Sequence, residues 1–301
     1  MLDRLAGNSQ LKQTLQAALQ GGRLSHSVLL CGEKGAGAGF AARCLAADYL
    51  YPQGGPGADQ VMAGESPECI QVRGEGVSGN IPVARIREVR RAVFDTALSA
   101  NGRVVILYDT QNLNGSSGNA LLKVLEEPPE GVLFILTASS QAAVMPTIRS
   151  RCGAYAVGPV PKDECVAWLN KYHPGCKPAP ADLALLYDGH IGLCRDVVTD
   201  PARAKLLETA RTLAEMIAKR DEYGILCTLT AFEKDKPGVQ TVLRDLCCLS
   251  AATLHRPGFT PLTAHKAGHV ILRADEAAAA LAANGNPKLV LTNLGIRLAK
   301  A

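Results

Sequence analysis

A glycine-rich stretch between two apolar patterns holds the residue types best suited to binding phosphate. The run Ser27–Cys31 is typical of a buried strand, and the apolar spacing from Gly39 to Leu50 predicts a helix. Glycines at a strand-to-helix turn let backbone N–H groups surround an anion at the N-terminus of the helix. The candidate phosphate-binding residues are the glycines of this turn, Gly32, Gly35 and Gly37.

The same turn departs from the nucleotide-binding pattern G-x-x-x-x-G-K-[ST]. When Gly32 and Gly37 are placed on the two glycines, Ala38 takes the lysine position and Gly39 takes the Ser/Thr position. The absent lysine would contact the β- and γ-phosphates, and the absent hydroxyl would hold Mg²⁺. Lys34 lies four residues before the lysine position and cannot replace it without remodelling the loop. The turn is therefore either a former nucleotide site that does not hydrolyse ATP or a plain glycine-rich connection.

A second strand pattern shows a related loss. Val104–Leu107 is apolar and runs into Tyr108, after which come Asp109 and Thr110. Where such a strand ends in Asp-Glu, one carboxylate holds Mg²⁺ and the other activates a water molecule. Asp109 keeps the metal-binding position, whereas Thr110 cannot act as a general base. The alternative is that Asp109 caps a helix or a turn.

The order of the patterns predicts which elements hold these residues. Strand and helix patterns alternate through residues 1–159, which indicates a mostly parallel sheet with helices on both faces. Short helical patterns fill residues 160–205, and only helices are expected over residues 206–301. We therefore expect an α/β domain, a small helical segment and an all-α domain, in that order. The predicted strands cover residues 27–31, 70–72, 104–107, 132–136 and 154–157.

The composition is that of a folded protein with an aliphatic core. Of 301 residues, 47% are hydrophobic and 20% are charged, which excludes a disordered, collagenous or coiled-coil chain. A net charge of +4 does not by itself indicate nucleic-acid binding, so any phosphate contact must be a local patch. The ten cysteines include no C-x-x-C pair and are interpreted as small apolar residues in a reducing compartment.

Export, membrane insertion and nucleophilic hydrolysis have no support in the sequence. Residues 1–13 lack a basic stretch followed by an apolar run, and no window reaches 18 uninterrupted apolar residues. We therefore expect a cytoplasmic protein without a membrane partner. The stretch Gly76–Gly79 does not have the G-x-S-x-G spacing of a nucleophilic serine.

Residues 119–152 resemble a known family. Asn119–Glu130 reads NALLKVLEEPPE and is similar to the NALLKxLEEPPE segment of bacterial clamp-loader AAA+ subunits. Ile148–Cys152 follows at the expected distance and carries the SRC motif of the same family. The two motifs at this spacing are highly specific. Further matches that extend the resemblance over nearly the whole chain are Leu5–Asn8, Arg23–His26 and Asn286–Leu291.

Within this family the chain resembles the delta-prime subunits of DNA polymerase III rather than the ATP-hydrolysing gamma/tau subunits. The gamma/tau subunits keep the loop lysine, the loop hydroxyl, the Asp-Glu pair and a lid arginine that senses the γ-phosphate. In this chain Gly192 stands where the lid arginine would fall. The resemblance therefore implies a subunit that does not hydrolyse ATP and needs no cofactor, with a AAA+ domain over 1–159, a helical lid over 160–205 and an oligomerisation collar over 206–301.

The resemblance assigns Arg151 the role of an arginine finger that acts on the ATP of a neighbouring subunit. Ser150 and Cys152 would position its loop. Such an arginine stabilises the charge on the γ-phosphoryl group as it is transferred, and its planar fork suits that task better than lysine does. The alternative is an exposed arginine at a helix end that interacts with the last carbonyl groups.

Four arginines on one predicted helix are candidates for DNA contact. They lie on its polar side, opposite Ile86, Val89 and Val93, and the family resemblance places such helices near the backbone of primed DNA. Contacts of this kind give affinity without reading sequence. A solvated helix face explains the same pattern equally well. The four residues are Arg85, Arg87, Arg90 and Arg91.

The resemblance also implies partners and one absence. The partners are the gamma/tau motor subunits, the delta subunit, primed DNA through the assembled complex and, as a further candidate, the sliding clamp. Many relatives carry a four-cysteine zinc module, but the interval Tyr51–Pro67 has no cysteine, and Cys44 and Cys69 beside it are too few for a tetrahedral site. No structural zinc is expected. Two alternatives are an ATP-hydrolysing motor subunit with an atypical loop and a relative that acts in DNA repair.

Overall fold

The structure, a computed structural model, describes residues 1–76, 79–95 and 99–300. Val77 and Ser78 of the Gly76–Gly79 stretch, and Ala301 of the expected collar, lie outside the described residues. The three-domain division with boundaries near 159 and 206 remains a prediction. By its contacts the chain forms two compact units, Met1–Trp168 with Gly189–Gly192, and Leu169–Asp188 with Leu193–Ala301.

A five-stranded sheet forms the centre of the first unit. Its strands are β1 (Ser27–Cys31), β2 (Cys69–Val72), β3 (Arg103–Leu107), β4 (Val132–Ala138) and β5 (Gly153–Ala156). They are all parallel and lie in the order β2-β3-β4-β1-β5. The predicted α/β fold with a parallel sheet is confirmed. Strands β1, β3 and β4 are buried along their whole length, as central strands of a parallel sheet must be.

The register of the central strands brings their carboxyl ends to one edge of the sheet. Cys31 of β1 pairs with Ala138 of β4, and Leu107 of β3 pairs with Leu136 of β4. The glycine turn follows β1 and Asp109 follows β3, so both lie at this edge. In open α/β sheets this is the edge at which ligands bind.

Helices cover both faces of the sheet. On one face α2 packs in a core that includes Leu30 and Ile106, and on the other face α4 and α5 pack with Leu29 and Phe134. Ala, Leu, Val and Ile supply nearly all of this core, as the low aromatic content predicts. The helices are α1 (Ser9–Gln20), α2 (Ala38–Leu50), α3 (Pro56–Ala63), α4 (Val83–Ala92), α5 (Gly115–Glu126), α6 (Pro146–Arg149) and α7 (Lys162–Tyr172).

From Pro180 to Ala299 the regular elements are helices, which confirms the all-α expectation for the C-terminal part. Side-chain oxygens cap several of them, for example Asp200 and Asp235 at the starts of long helices. The helices are α8 (Pro180–Leu186), α9 (Ile191–Thr199), α10 (Pro201–Lys219), α11 (Glu222–Thr230), α12 (Lys236–His255), α13 (Ala264–Ala282) and α14 (Pro287–Ala299). No helix in the described part of the chain is both long and apolar enough to cross a bilayer.

A buried polar network lies inside the helical unit. Arg203 of α10 donates two hydrogen bonds of 2.6 and 2.7 Å to the carboxylate of Asp245 in α12. It also donates to the hydroxyl of Tyr187, which itself donates to Asp245. All three side chains are buried, and burial raises the pKa of the Tyr187 hydroxyl above its ordinary value. The network pairs two opposite charges that would otherwise be costly to bury.

Candidate functional site

The predicted phosphate loop connects β1 to α2 and is shaped by its glycines. Gly35 and Gly37 have φ of 92° and 104°, a region that favours glycine, and Gly37 is the residue before the first turn of α2. At Gly32 a side chain would collide with the carbonyl oxygen of Val157, which follows β5. The loop therefore has the strand-to-helix geometry that the sequence predicted.

Gly192, the predicted position of the missing lid arginine, packs directly on this loop. Its N–H donates to the carbonyl oxygen of Gly35 at 2.9 Å. A Cβ atom at residue 192 would lie 2.9 Å from both Cα and the carbonyl oxygen of Gly35. Next to this contact, Nε2 of His190 lies 3.4 Å from the carboxylate of Glu33. The backbone of Gly192 thus lies so close to Gly35 that a side chain at residue 192 would require one of the two segments to shift.

Tyr108 fills the space beside Gly39, the predicted position of the missing Ser/Thr. A Cβ atom at residue 39 would lie 3.2 Å from Cε1 of Tyr108, closer than ordinary contact. The ring is held in place because its hydroxyl donates to Gln71 at 2.9 Å and the Arg73 guanidinium lies 3.6 Å from its centroid. Burial raises the pKa of Tyr108, so its hydroxyl remains a neutral donor.

Asp109 and Thr110 have different environments at the end of β3. Asp109 is exposed, with φ of 54°, and its backbone N–H donates to Oγ1 of Thr137. Its carboxylate accepts from Gln111 but makes no capping hydrogen bond to the short 3₁₀ turn that follows within the described chain. Thr110 is buried and its hydroxyl donates to the carbonyl oxygen of Thr137 at 3.0 Å. The hydroxyl of Thr110 is therefore used in a hydrogen bond to the end of β4.

Cysteines near the interval of the zinc module have the properties of core residues. Burial raises the pKa of both Cys44 and Cys69 to about 12, so the thiols stay protonated near neutral pH and are poor metal ligands. The interval between them contains α3, which begins at Pro56. No group of three or more His, Cys, Asp or Glu side chains in residues 1–76, 79–95 and 99–300 could hold a metal ion.

Arg151 projects from the turn after α6 and is held by acceptors on two elements. Its Nη1 donates to the carbonyl oxygen of Thr147 at 2.9 Å and to Oγ of Ser150 at 3.3 Å. Its Nη2 lies 2.6 Å from Oε1 of Glu126, the last residue of α5. The side chain of Arg151 keeps 36% of its surface exposed. The partners of this guanidinium therefore come from α5 and from α6 with its following turn.

Cys152 holds the same turn against the hydrophobic core. It packs against the core that α4 and α5 form with the sheet, and burial raises the pKa of its thiol to about 12. The three SRC residues thus differ in environment, because Ser150 and Arg151 face solvent in part while Cys152 faces the core.

The four arginines of α4 are all exposed, while Ile86 and Val89 of the same helix are buried. Arg85 pairs with Glu88 at 2.7 Å on the helix surface. The C-terminal end of α4 is fixed by Arg103, which is paired with the buried carboxylate of Glu68 and donates to the carbonyl oxygen of Ala92. Helix α4 therefore has a positively charged, exposed face, and its C-terminal end is held by Arg103.

Sequence reasoning did not identify three of the contributing residues. The sequence pattern places Tyr108 at the end of a strand and Glu126 in a motif, and it gives no signal for Thr137. Their roles depend on contacts with residues distant in the sequence, for which no local pattern exists. A signal was available for Glu126 alone, because it belongs to the segment that carries the family resemblance.

A known protein family matches the half of the chain that contains the glycine loop and the SRC turn. The family model described as DNA polymerase III, delta subunit, matches residues 7–160, which is 154 of the 301 residues. The chain belongs to this family. The matched range contains the glycine loop, Asp109, the arginines of α4 and the SRC turn, whereas Gly189–Gly192 lie outside it.

Relatives of both kinds considered above are similar to this member of the family. The DNA polymerase III subunit delta' of Escherichia coli is 30% identical over 167 residues, which are 53% of this chain and 50% of that protein. The DNA polymerase III subunit gamma/tau of Mycobacterium tuberculosis is 32% identical over 159 residues, 50% of this chain and 27% of that protein. The chain thus matches half or less of the length of these relatives.

A solved structure supports the fold. A gamma subunit-related protein of DNA polymerase III from Thermotoga maritima superposes with a TM-score of 0.60 at 17% identity, covering 95% of this chain and 98% of that one. At this identity the likeness concerns the arrangement of elements and not the site.

Proposed function

We propose that this chain is a non-hydrolysing subunit of the DNA polymerase III clamp loader, and that it supplies Arg151 to the ATP site of a neighbouring motor subunit. In this proposal the chain assembles with gamma/tau-type and delta-type subunits through the helices of residues 206–301. The complex would open a sliding clamp and place it on primed DNA.

The observation that carries the proposal is the contact between Gly192 and Gly35. Where a nucleotide-using relative has an arginine, this chain has a glycine whose N–H is bonded to the loop itself. Two further contacts support the loss of Mg²⁺ binding. Tyr108 lies close to Gly39, and the hydroxyl of Thr110 is hydrogen-bonded to Thr137. Ala38 supplies no charge for the phosphates.

The environment of Arg151 supports its action outside its own subunit. The guanidinium is partly exposed and is bound by side-chain and carbonyl acceptors of α5, α6 and the turn that follows α6. Surface hydrogen bonds of this kind exchange readily with a better acceptor, and a phosphate oxygen accepts a charge-assisted, bidentate pair from arginine.

The basic face of α4 supports a further role in holding DNA. Arg87, Arg90 and Arg91 are exposed on a helix whose end is fixed by Arg103. Such a face would bind the phosphate backbone of primed DNA without reading its sequence, and its contribution would fall as salt rises. Arg85, paired with Glu88, is the weakest of the four candidates.

A motor subunit is the second candidate, because a gamma/tau protein is similar to the same half of the chain at 32% identity. ATP hydrolysis by the isolated chain separates the two. We expect no turnover, since the lysine, the hydroxyl, the general base and the lid arginine are replaced by Ala38, Gly39, Thr110 and Gly192. Turnover at the rate of a AAA+ motor would favour the second candidate and would contradict the proposal.

Arg151→Ala tests the trans role. In a complex assembled with the motor subunits of the same organism, we expect the ATPase stimulated by DNA and clamp to fall, together with clamp loading. At the one site that borrows Arg151 the loss should approach the factor of about 10³ known for arginine fingers, so the whole complex loses part of its rate.

Folding and assembly should survive this substitution, because a partly exposed arginine at a helix end contributes about 0.3–1 kcal/mol. Arg151→Lys should restore little, since a point charge does not reproduce the planar fork. Wild-type ATPase and loading by an assembled Arg151→Ala complex would refute the trans role and leave the helix-end interpretation.

A further inference from the structure

The two motifs that carry the family resemblance meet in one ion pair. Glu126 ends α5 inside the NALLKVLEEPPE segment, and Arg151 belongs to the SRC segment 25 residues later. Their side chains are 2.6 Å apart and keep 49% and 36% of their surface exposed, respectively. The pair therefore links two segments through solvent-accessible side chains.

The remaining bonds of Arg151 are local. Nη1 is bound by the carbonyl oxygen of Thr147 and by Oγ of Ser150, and the Ser150 hydroxyl donates to the same carbonyl oxygen at 3.1 Å. These groups belong to α6 and to the turn that carries Arg151. Glu126 comes from a different helix, so among these acceptors it links the guanidinium to α5.

We propose that Glu126 is a positioning residue for Arg151. By holding Nη2, its carboxylate keeps the long side chain in one orientation before a phosphate of the neighbouring subunit arrives. An arginine that is already ordered loses less rotamer entropy when it binds, so more of the interaction remains to stabilise the transition state. This inference rests on the proposed function of Arg151.

Because the ion pair is exposed, Arg151 can leave Glu126 when a phosphate group binds it. Water and salt screen an ion pair on the surface, so its net strength is small and its partners exchange. The γ-phosphoryl group carries more charge than one carboxylate and offers oxygens for both arms of the fork. Glu126 thus orients Arg151 and still allows it to bind the γ-phosphoryl group of the neighbouring subunit.

The test is a set of variants in the complete complex, assembled with the motor subunits of the same organism. Glu126→Ala is compared with Glu127→Ala, a change at the adjacent exposed glutamate of the same motif. The measured quantity is the stimulated ATPase rate that depends on Arg151, which is the wild-type rate minus the Arg151→Ala rate.

We expect Glu126→Ala to lower this rate about two- to fivefold, the range that the energies of exposed ion pairs allow. The decrease should appear in kcat and not in the KM for ATP, because the neighbouring subunit binds the nucleotide. Glu126→Gln, which keeps an acceptor without the charge, should retain an intermediate rate. Glu127→Ala should match the wild type, and Glu126→Ala combined with Arg151→Ala should equal Arg151→Ala alone.

The outcomes separate this inference from the proposed function. If Arg151→Ala itself changes nothing, the trans role and the positioning role both fail. If Arg151→Ala lowers the rate but Glu126→Ala matches the wild type or adds to Arg151→Ala, the positioning role alone is overturned. A rate above wild type for Glu126→Ala would show that Glu126 restrains Arg151, and would overturn it as well.

Discussion

The phosphate loop and the SRC turn are fixed by different kinds of contact. In the loop, the backbone of Gly192 is bonded to the backbone of Gly35, with no space for a side chain between them. In the SRC turn, Arg151 is held by one carboxylate and two local oxygens on a partly exposed surface. One region is closed by main chain and the other is held by side chains that water can reach.

The two kinds of contact differ in how readily they exchange. A main-chain contact at 2.9 Å gives way only if the chain itself moves, whereas a surface ion pair exchanges its partner within the rotamer motions of two side chains. In the proposed function, the loop would serve as a structural connection and the SRC turn would bind a phosphate of the neighbouring subunit. Three predictions test this comparison.

Gly192→Ala should give the largest change of the three, because it places a Cβ atom against the backbone of Gly35. We expect a loss of about 1–3 kcal/mol in the free energy of unfolding, as for other insertions into packed regions. Urea unfolding measures it. Gly115→Ala is the matched control, since a Cβ atom there has no neighbour within 4 Å among the described residues. Equal stability of the two variants would mean that the loop contact is loose.

Alkaline pH should affect the SRC turn through Cys152. Burial raises the pKa of this thiol from 9.0 to about 12, so the folded chain keeps the proton that the unfolded chain releases. Stability from this proton is complete below pH 9 and is lost as pH rises from 9 towards 12. At pH 10 the wild type should have lost about 1.4 kcal/mol relative to Cys152→Ala.

The comparison requires urea unfolding of both proteins at pH 7 and pH 10. A constant gap between the wild type and Cys152→Ala at the two pH values would place the thiol in contact with water and would remove the anchor from the SRC turn.

Restoring the loop should have the smallest effect. Ala38→Lys combined with Gly39→Thr recreates the nucleotide-binding pattern, yet we expect no measurable ATP binding by titration calorimetry. The reason is that a Cβ atom at residue 39 would lie only 3.2 Å from Cε1 of Tyr108, and the N–H of Gly192 is bonded to Gly35 of the loop. Micromolar binding by this double variant would show that the loop is an open site lacking two side chains, and would contradict the comparison.

Much of the fold follows from patterns within short stretches of sequence. The apolar run of β1, the glycines after it and the run of β3 identify the edge of the sheet where the loop and Asp109 lie. Helix α3 was missed because Pro and Gly dominate its approach, although Pro56 at its start and Gly64 at its end are favourable there.

The sequence predicts which residue types form the candidate site, but it does not predict the contacts between them. The replacement of lysine by Ala38 is visible in a motif. The fit of Tyr108 beside Gly39, and the pair of Arg151 with Glu126, join residues 69 and 25 positions apart. Such contacts depend on strand order and helix packing, which no local spacing encodes.

The buried network of Arg203, Asp245 and Tyr187 has a consequence for the helical unit. The hydrophobic effect that drives the packing of aliphatic side chains is non-directional. A bidentate fork requires one rotation and one axial position of α10 against α12. A shift by one turn would leave a buried charge without its partner, at a cost of about 3–5 kcal/mol. The network thus ties the register of α10 to that of α12 through one buried ion pair.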